Sequence, residues 1–479
     1  MTTVHLETRM PDFDVVIRGG TVATAADVFD ADVGIVDGRV AALGARLGSA
    51  ETEYDAKGKY VLPGGIDSHC HIAQLSGTGL MTADDFETGT RSAMCGGTTT
   101  LIPFAAQHKG MSLRDALATA HADAGPKAMI DYALHLIVSD PTPQVLGQEL
   151  PQIVKEGYTS FKIYMTYDAL KLNDREVLEV LALGRREGAV VMVHAENHDV
   201  IAYLTDELLS AGKTAPKYHA VAHSWIAERE ATHRAISLAE IIDVPILIVH
   251  VSGGQAIEQI RSAQARGLKV FAETCPQYLF LTESDLDRDG MEGAKCVCSP
   301  PPRDAANQEL VWRGLETGVF EIFSSDHAPY RMDTGGKLRN GPKAHFKQIA
   351  NGVPGLEVRL PLLFSEGVRT GRISLEQFVA LTSTNAAKLY GIYPQKGSIS
   401  VGADADIAIW DPDCEVSISQ SMLHDAMDYT PYEGRTVRGW PVMTFSRGDL
   451  VWADGNVNAT PGRGRFLRRD KSYTIYNRA

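Results

Sequence analysis

Cysteine is scarce in this chain. Cys70, Cys95, Cys275, Cys296, Cys298 and Cys414 are the only six among 479 residues. None forms a CxxC pair, and Cys296 and Cys298 stand too close for a routine disulfide. So few cysteines argue against a disulfide framework and for a reduced, cytoplasmic setting. Basic residues are outnumbered, 46 against 60 acidic, for a net charge of −14. That balance speaks against nucleic acid or an anionic membrane as partner. One local exception is the basic tail (Arg463, Arg465, Arg468, Arg469, Lys471), read as a solvated or subunit-contacting segment. No apolar run approaches the ~18 residues of a membrane span. The first residues, MTTVHLETRMPDFD, have no apolar core of a signal peptide. Low-complexity tracts and short internal repeats are missing as well. What remains is an ordinary globular composition, 44% hydrophobic and 22% charged.

The two ends of the chain share a short-strand style. Residues 14–44 read as two hairpins, with turns expected at Gly19-Gly20 and Asp37-Gly38, dipeptides that supply positive φ. Near the other end, ADIAIWD and TVRGWPVMTFSRGDLVWADG read alike, with a turn at Gly448-Asp449. Both ends are expected to build one small β domain, with the middle inserted. The middle alternates strand and helix. Eight short apolar runs (60–67, 98–104, 132–138, 159–165, 190–194, 246–250, 269–273 and 321–325) are separated by helical periodicity. That pattern predicts an α/β fold, a parallel (β/α)8 barrel with insertions. The expected division is residues 1–62 and 391–479 for the β domain, the latter including a C-terminal tail, and 63–390 for the barrel.

The polar residues fall at the ends of those runs. His69 and His71 follow the first, Lys162 lies in the fourth, His194 ends the fifth, His250 ends the sixth, and Asp326 follows the eighth. In a parallel barrel all strand C-termini open on one face, so these six would converge. Four imidazoles and a carboxylate suit Zn²⁺ or a similar divalent metal, in number enough for two ions if something bridges them. Burial beside a dication disfavours an ammonium, so Lys162 is the odd member. A neutral amine takes up carbon dioxide to give an anionic carbamate with two oxygens, a bridge of the required kind. Each residue alone has a plainer reading: an incidental His-x-His pair, satisfied core histidines, a paired lysine, a capping aspartate. His198, His233 and His327 lack the strand-end placement and are not expected as ligands.

Several segments then resemble a known family. GGIDSHCH (64–71), TSFKIYM with Tyr167 after it, MVHAEN, IVHVSG, AETCPQYL, CSPPPR, SSDHAPY and NGVPGLEVR look like the dihydropyrimidinase/D-hydantoinase family of the amidohydrolase superfamily. They occur in family order from about residue 14 to about residue 455. The resemblance implies a distorted (β/α)8 TIM-like barrel with a small β-sandwich built from both chain ends. It implies two divalent metal ions, zinc in the family, bridged by N6-carboxylated Lys162. His69, His71 and Asp326 would hold the more buried ion; His194 and His250 would hold the other. It implies hydrolysis of the ring amide of dihydropyrimidines, hydantoins or related cyclic imides by a metal-bridging hydroxide. In that chemistry Asp326 moves the proton to the leaving nitrogen and Tyr167 donates to the oxyanion. Ser299 and Asn351 hold the substrate's amide edge. A homotetramer is the family's common assembly.

Two scaffold relatives are alternatives. Dihydroorotases often carry His-x-His-x-Arg, but Ala73 stands at the arginine's place. Allantoinases usually show an acidic-Pro-Gly stretch after the histidine pair, where this chain reads IAQLSGTGLMTADDF. The non-enzymatic relatives of dihydropyrimidinase have lost metal ligands that this chain keeps. IAQLSGTGLMTADDF, IPFAAQHKG and VSGGQA depart from typical D-hydantoinases. The first and third are expected in loops at the barrel mouth, where substrates are chosen.

Overall fold

Strand Tyr60–Pro63 joins the two ends of the chain. It runs parallel to Phe13–Ala23, with Thr21 opposite Tyr60, and antiparallel to Ile407–Ser417, with Ile409 opposite Val61. The result, in a computed structural model that describes residues 11–476, is one nine-stranded sheet drawn from both ends. Its alternating inward residues, among them Val33, Ile35, Val61, Ile407, Ile409 and Phe445, form a separate apolar cluster.

One expected turn is a bulge instead. Gly19-Gly20 does not end a strand; Phe13–Ala23 runs through it, and the register to Val28–Val36 shifts between Ile17 and Gly20. Gly19 takes φ +63°, and its N–H donates to Asp32 Oδ1 at 2.8 Å. A Cβ on Gly20 would lie 2.4 Å from Val61 Cγ2, so close strand approach explains the second glycine. Asp37-Gly38 is the expected turn, with φ +50° and +73°. The later turn falls on Arg447-Gly448, one residue before its expected place.

The run 60–67 also divides. After Gly64 the chain leaves the mixed sheet, and Gly65–Asp67 opens the barrel. Seven parallel strands follow in order, from Phe104–Ala106 to Ile322–Phe323, and a three-stranded group holds Gly65–Asp67, Thr98–Leu101 and Asp131–Tyr132. The second and third barrel strands thus each break in two. Pro103 explains the first break, since it has no N–H for the ladder. The third strand follows the kink, with His135 N–H donating to the Pro103 carbonyl at 2.8 Å. Strand eight meets strand one through His71 N–H to the His327 carbonyl at 2.7 Å, which closes a distorted barrel.

The outer helices are specified locally. Asp174–Glu187 starts in a capping box of Asn173 and Glu176 and stops at Gly188 in the left-handed region. Its buried face of Val177, Val180 and Leu181 packs on the barrel, each side chain contributing roughly 1.5–3 kcal/mol. Barrel and sheet are tied by Lys396, whose Nζ lies 2.7 Å from Asp131, 2.7 Å from Asp406 and 3.0 Å from Asp404. The basic tail is not simply solvated. Arg469 is buried and donates to Ser160 Oγ at 2.7 Å and the Leu134 carbonyl at 2.6 Å, closing the barrel floor. Among the described residues no helix is long and apolar enough to cross a membrane.

Candidate active site

All six strand-end residues meet at one end of the barrel, lining a cavity of about 730 Å³. His69 and His71 alternate with Cys70 on extended chain, so both rings face the cavity while the thiol is buried behind. Their Nε2 atoms each lie 3.3 Å from Asp326 Oδ1. These three side chains form a group able to hold a metal ion. Lys162 Nζ sits 3.2 Å from His69 Nε2, fully buried between the rings of Phe104 and Tyr164. On the other side His194 Nδ1 and His250 Nε2 are 2.8 Å apart.

The backbone is bent to bring them there. His250, Asp326 and Tyr167 take φ of +39°, +46° and +69°. Non-glycine residues rarely adopt such values, and the surrounding structure must hold them there.

Buried carboxylates behind the histidines orient them. Glu273 Oε1 meets His69 Nδ1 at 2.5 Å, and Glu196 Oε2 meets His194 Nε2 at 2.7 Å. Gln74 Oε1 accepts from His71 Nδ1 at 2.8 Å. With those ring nitrogens donating outward, His69 Nε2, His71 Nε2 and His194 Nδ1 turn lone pairs toward the centre. Lone pairs facing Asp326 without an intervening proton call for a cation. The donor set and its carboxylate backing therefore fit divalent metal.

The electrostatics agree. Burial holds His69 and His250 well below the usual imidazole range, and Lys162 and other histidines push the same way. They stay neutral, the form that ligates. Burial brings the Lys162 amine down to about 8, against the pull of Asp326 and Glu273. Burial works to raise the Asp326 carboxyl, but His69, His71 and Lys162 outweigh it and leave it below its ordinary range. Burial pushes Glu273 up to about 8, and a positive charge beside His69 would draw it back to carboxylate.

The expected substrate residues also converge. Tyr167, Ser299 and Asn351 line the cavity, with the Ser299 and Asn351 side chains placed to work against the rise in the Tyr167 phenol's pKa. Burial, with Glu196 nearby, raises that phenol well above its ordinary value, so it remains a donor. Gly352 follows Asn351 at φ +150°, and a Cβ there would lie 2.4 Å from the Ala328 carbonyl oxygen. The neighbouring histidines are placed otherwise. His198 starts helix His198–Ser210 and pairs with Asp168 at 3.4 Å. His233 lies on an exposed helix face. His327 meets Asp84 at 3.1 Å and accepts from Gly355 N–H, orienting the Asp326 loop. Gln74, Ser76 and Thr78 put IAQLSGTGLMTADDF at the mouth as expected. VSGGQA is a correction: it turns into helix Gly254–Ala265, with Ser252 held by Glu228 and Arg303, and does not line the cavity.

Sequence reasoning missed Glu273, Glu196, His219 and His223. His223 Nδ1 donates to Glu196 Oε1 at 2.9 Å, and the His219 ring lies 4.3 Å from it. Glu273 alone had a signal, since it ends the run 269–273.

A barrel with this cluster at its C-terminal face is the architecture of metal-dependent hydrolases, and residues 60–451 match the model of the amidohydrolase family. The chain belongs to that family. Within it the chain groups with hydantoinases and dihydropyrimidinases. It is 45% identical to the D-hydantoinase of Rhizobium radiobacter, covering 96% of this chain and 99% of that one. It is 46% identical to the D-hydantoinase of Geobacillus stearothermophilus, covering 95% and 96%. The crystal structure of dihydropyrimidinase from Brevibacillus agri superimposes with a TM-score of 0.92 at 43% identity, covering 95% of this chain and 98% of that one.

Proposed function

We propose that this cyclic amidohydrolase opens the ring amide of a dihydropyrimidine, a hydantoin or a related cyclic imide. The observation that carries the reading is the cavity floor, where His69, His71 and Asp326 converge beside buried Lys162. His69, His71 and Asp326 would hold one divalent ion, zinc in the first instance, and His194 and His250 a second. Lys162, as its carbamate, would bridge them; burial lowers its amine toward the neutral form, which is the form that takes up carbon dioxide. Two such ions would supply Lewis acidity, bringing the pKa of water from ~15.7 toward ~7 and polarising the ring carbonyl.

The chain's own groups do the rest. Asp326 Oδ takes the proton from the attacking water and delivers it to the ring nitrogen, which leaves poorly unless protonated. Tyr167 O–H donates to the oxyanion that develops as the carbonyl carbon becomes tetrahedral. Ser299 and Asn351 hold the amide edge, largely through main-chain groups, and so orient the scissile bond. The cavity of about 730 Å³ leaves room for a substituent beyond the ring.

In the same reading, the described residues up to 62 and from 391 form the β unit, with the C-terminal tail running on to the barrel floor, and 63–390 form the catalytic barrel. The enzyme works in the cytoplasm, in keeping with six free cysteines. A homotetramer would cover the exposed Tyr203, Val221, Trp225 and Ile226 on three neighbouring helices. The test is turnover of dihydrouracil, hydantoin and 5-phenylhydantoin by metal-replete protein, followed as ring opening. Opening of one or more supports the reading; inertness toward all three with two ions bound overturns it.

A further inference from the structure

Lys337 is fully buried, yet among the described residues no carboxylate lies within ion-pair distance of it. The titratable groups that face it are the thiols of Cys296 and Cys298 and the ring of His219. Its Nζ donates to two main-chain carbonyls, Val297 at 3.0 Å and Ala350 at 2.9 Å. Those carbonyls lie just before Ser299 and Asn351, the two residues assigned to the substrate's amide edge. The loops are otherwise far apart in sequence.

Other contacts hold one or both of these loops. The Val297 carbonyl also accepts Gly352 N–H at 3.0 Å. His219 Nε2 donates to the Cys298 carbonyl at 2.9 Å, and Tyr278 O–H to the Pro300 carbonyl at 2.9 Å. Lys337 is the side chain whose single atom spans both loops. Burial brings its amine down to about 7. A neutral amine has two N–H donors, and two carbonyls are what it meets, so loss of charge leaves both bonds intact. A methionine would fill the slot without desolvating an amine; what the amine adds is a fixed distance between two carbonyls.

We propose that Lys337 is a positioning residue for ring binding, setting the spacing of the Ser299 and Asn351 main chains so that both meet the amide edge together. This rests on the assignment of those residues to that edge. A site built to bond a ring N–H rejects an analogue lacking it, because its buried partner is left unpaired. Loosening the two loops should weaken that rejection.

The experiment compares kcat/KM for 5-phenylhydantoin and 3-methyl-5-phenylhydantoin in wild type, K337M and K337Q, with metal content measured in each. Hydrogen exchange is followed in peptides covering 297–302 and 349–355. Wild type should favour the unmethylated ring strongly. K337M should raise its KM about tenfold with kcat nearly kept, cut the discrimination about tenfold, and speed exchange in both peptides. A merely structural lysine would lower the active fraction without moving KM or the ratio. Strong discrimination that survives in K337M overturns the proposal while leaving the edge assignment standing. Should K337M fail to fold, K337Q, which keeps donors on a shorter stem, is read by the same ratio. A wild-type ratio near one overturns the edge assignment, and Lys337's role with it; a metal-replete wild type that opens neither of these rings, nor dihydrouracil, nor hydantoin, overturns the proposed function.

Discussion

Replacing Lys396 by methionine tests whether the barrel and the two-ended sheet behave as one body. Three carboxylates, Asp131, Asp404 and Asp406, surround this buried ammonium within 3.0 Å. Asp131 belongs to the third barrel strand, whereas Asp406 lies just before strand Ile407–Ser417 of the sheet. In Lys396→Met the nearest remaining cation is Arg447, 3.1 Å from Asp131. Breaking a buried ion pair from one side costs about 3–5 kcal/mol. With an unfolding entropy of about 2.1 cal/mol/K per residue, the chain loses about 1 kcal/mol of stability per degree at its midpoint, so Tm should fall by ~3–5 °C. The sign with pH follows from linkage. In wild type the Asp131 carboxyl, though raised by burial, is held below its ordinary value by Lys396, so its contribution is lost as pH falls. In the variant Asp131 and Asp406 lose the ammonium that opposes the upward push of burial, so the folded state gains as they protonate. The gap between the two proteins should therefore narrow from pH 7 to pH 5. Calorimetry at matched scan rates measures it. A Tm change under one degree, or a gap that widens in acid, would refute the reasoning.

Three further outcomes are expected. Tyr167→Phe should lower kcat and kcat/KM together by about 10²–10³, the effect of losing a preorganised oxyanion donor, while metal content stays at the wild-type level. A rise in KM alone would remove Tyr167 from the transition state. Asp326→Asn should stay folded yet lose nearly all turnover; an active variant with an unchanged pH profile would rule out the proton-transfer role. His424 donates to buried Glu357 at 2.9 Å, and that bond raises its folded pKa above the ordinary 6.5. A raised histidine stabilises fully below its unfolded pKa and stops doing so as pH climbs through the folded value. Urea titration should thus show the advantage of wild type over His424→Gln shrinking from pH 6 to pH 8; a constant difference would mean that His424 does not titrate there.

How much of this was legible in the sequence depends on the range of each signal. His69, His71, Lys162, His194, His250 and Asp326 stood out because each sits on or just past a short apolar run, and one rule about parallel barrels brings all such ends together. The eight runs were legible for the same reason, although 60–67 proved to serve two sheets and Pro103 broke the second strand. Gly19-Gly20 looked like a turn because a bulge and a hairpin ask for the same positive φ; only pairing with Val28–Val36 tells them apart. Glu196, His219 and Lys337 were illegible. Their roles depend on contacts such as His223 with Glu196 across 27 residues, Lys337 with Val297 across 40 and His219 with Ser299 across 80, and no local period announces those. Arg469 hid in a basic tail because burial of a guanidinium depends on the barrel floor it closes.

The central claim is that Lys162 becomes an anion and unites two metals. Metal analysis of wild type and Lys162→Ala, with intact-mass and ¹³C-bicarbonate labelling of the lysine, addresses it directly. The account predicts two divalent ions per wild-type chain, a carbamate carbon on Lys162, and joint loss of metal and turnover in the alanine variant. Two ions fully retained by Lys162→Ala, or an unmodified amine in active wild type, would contradict it.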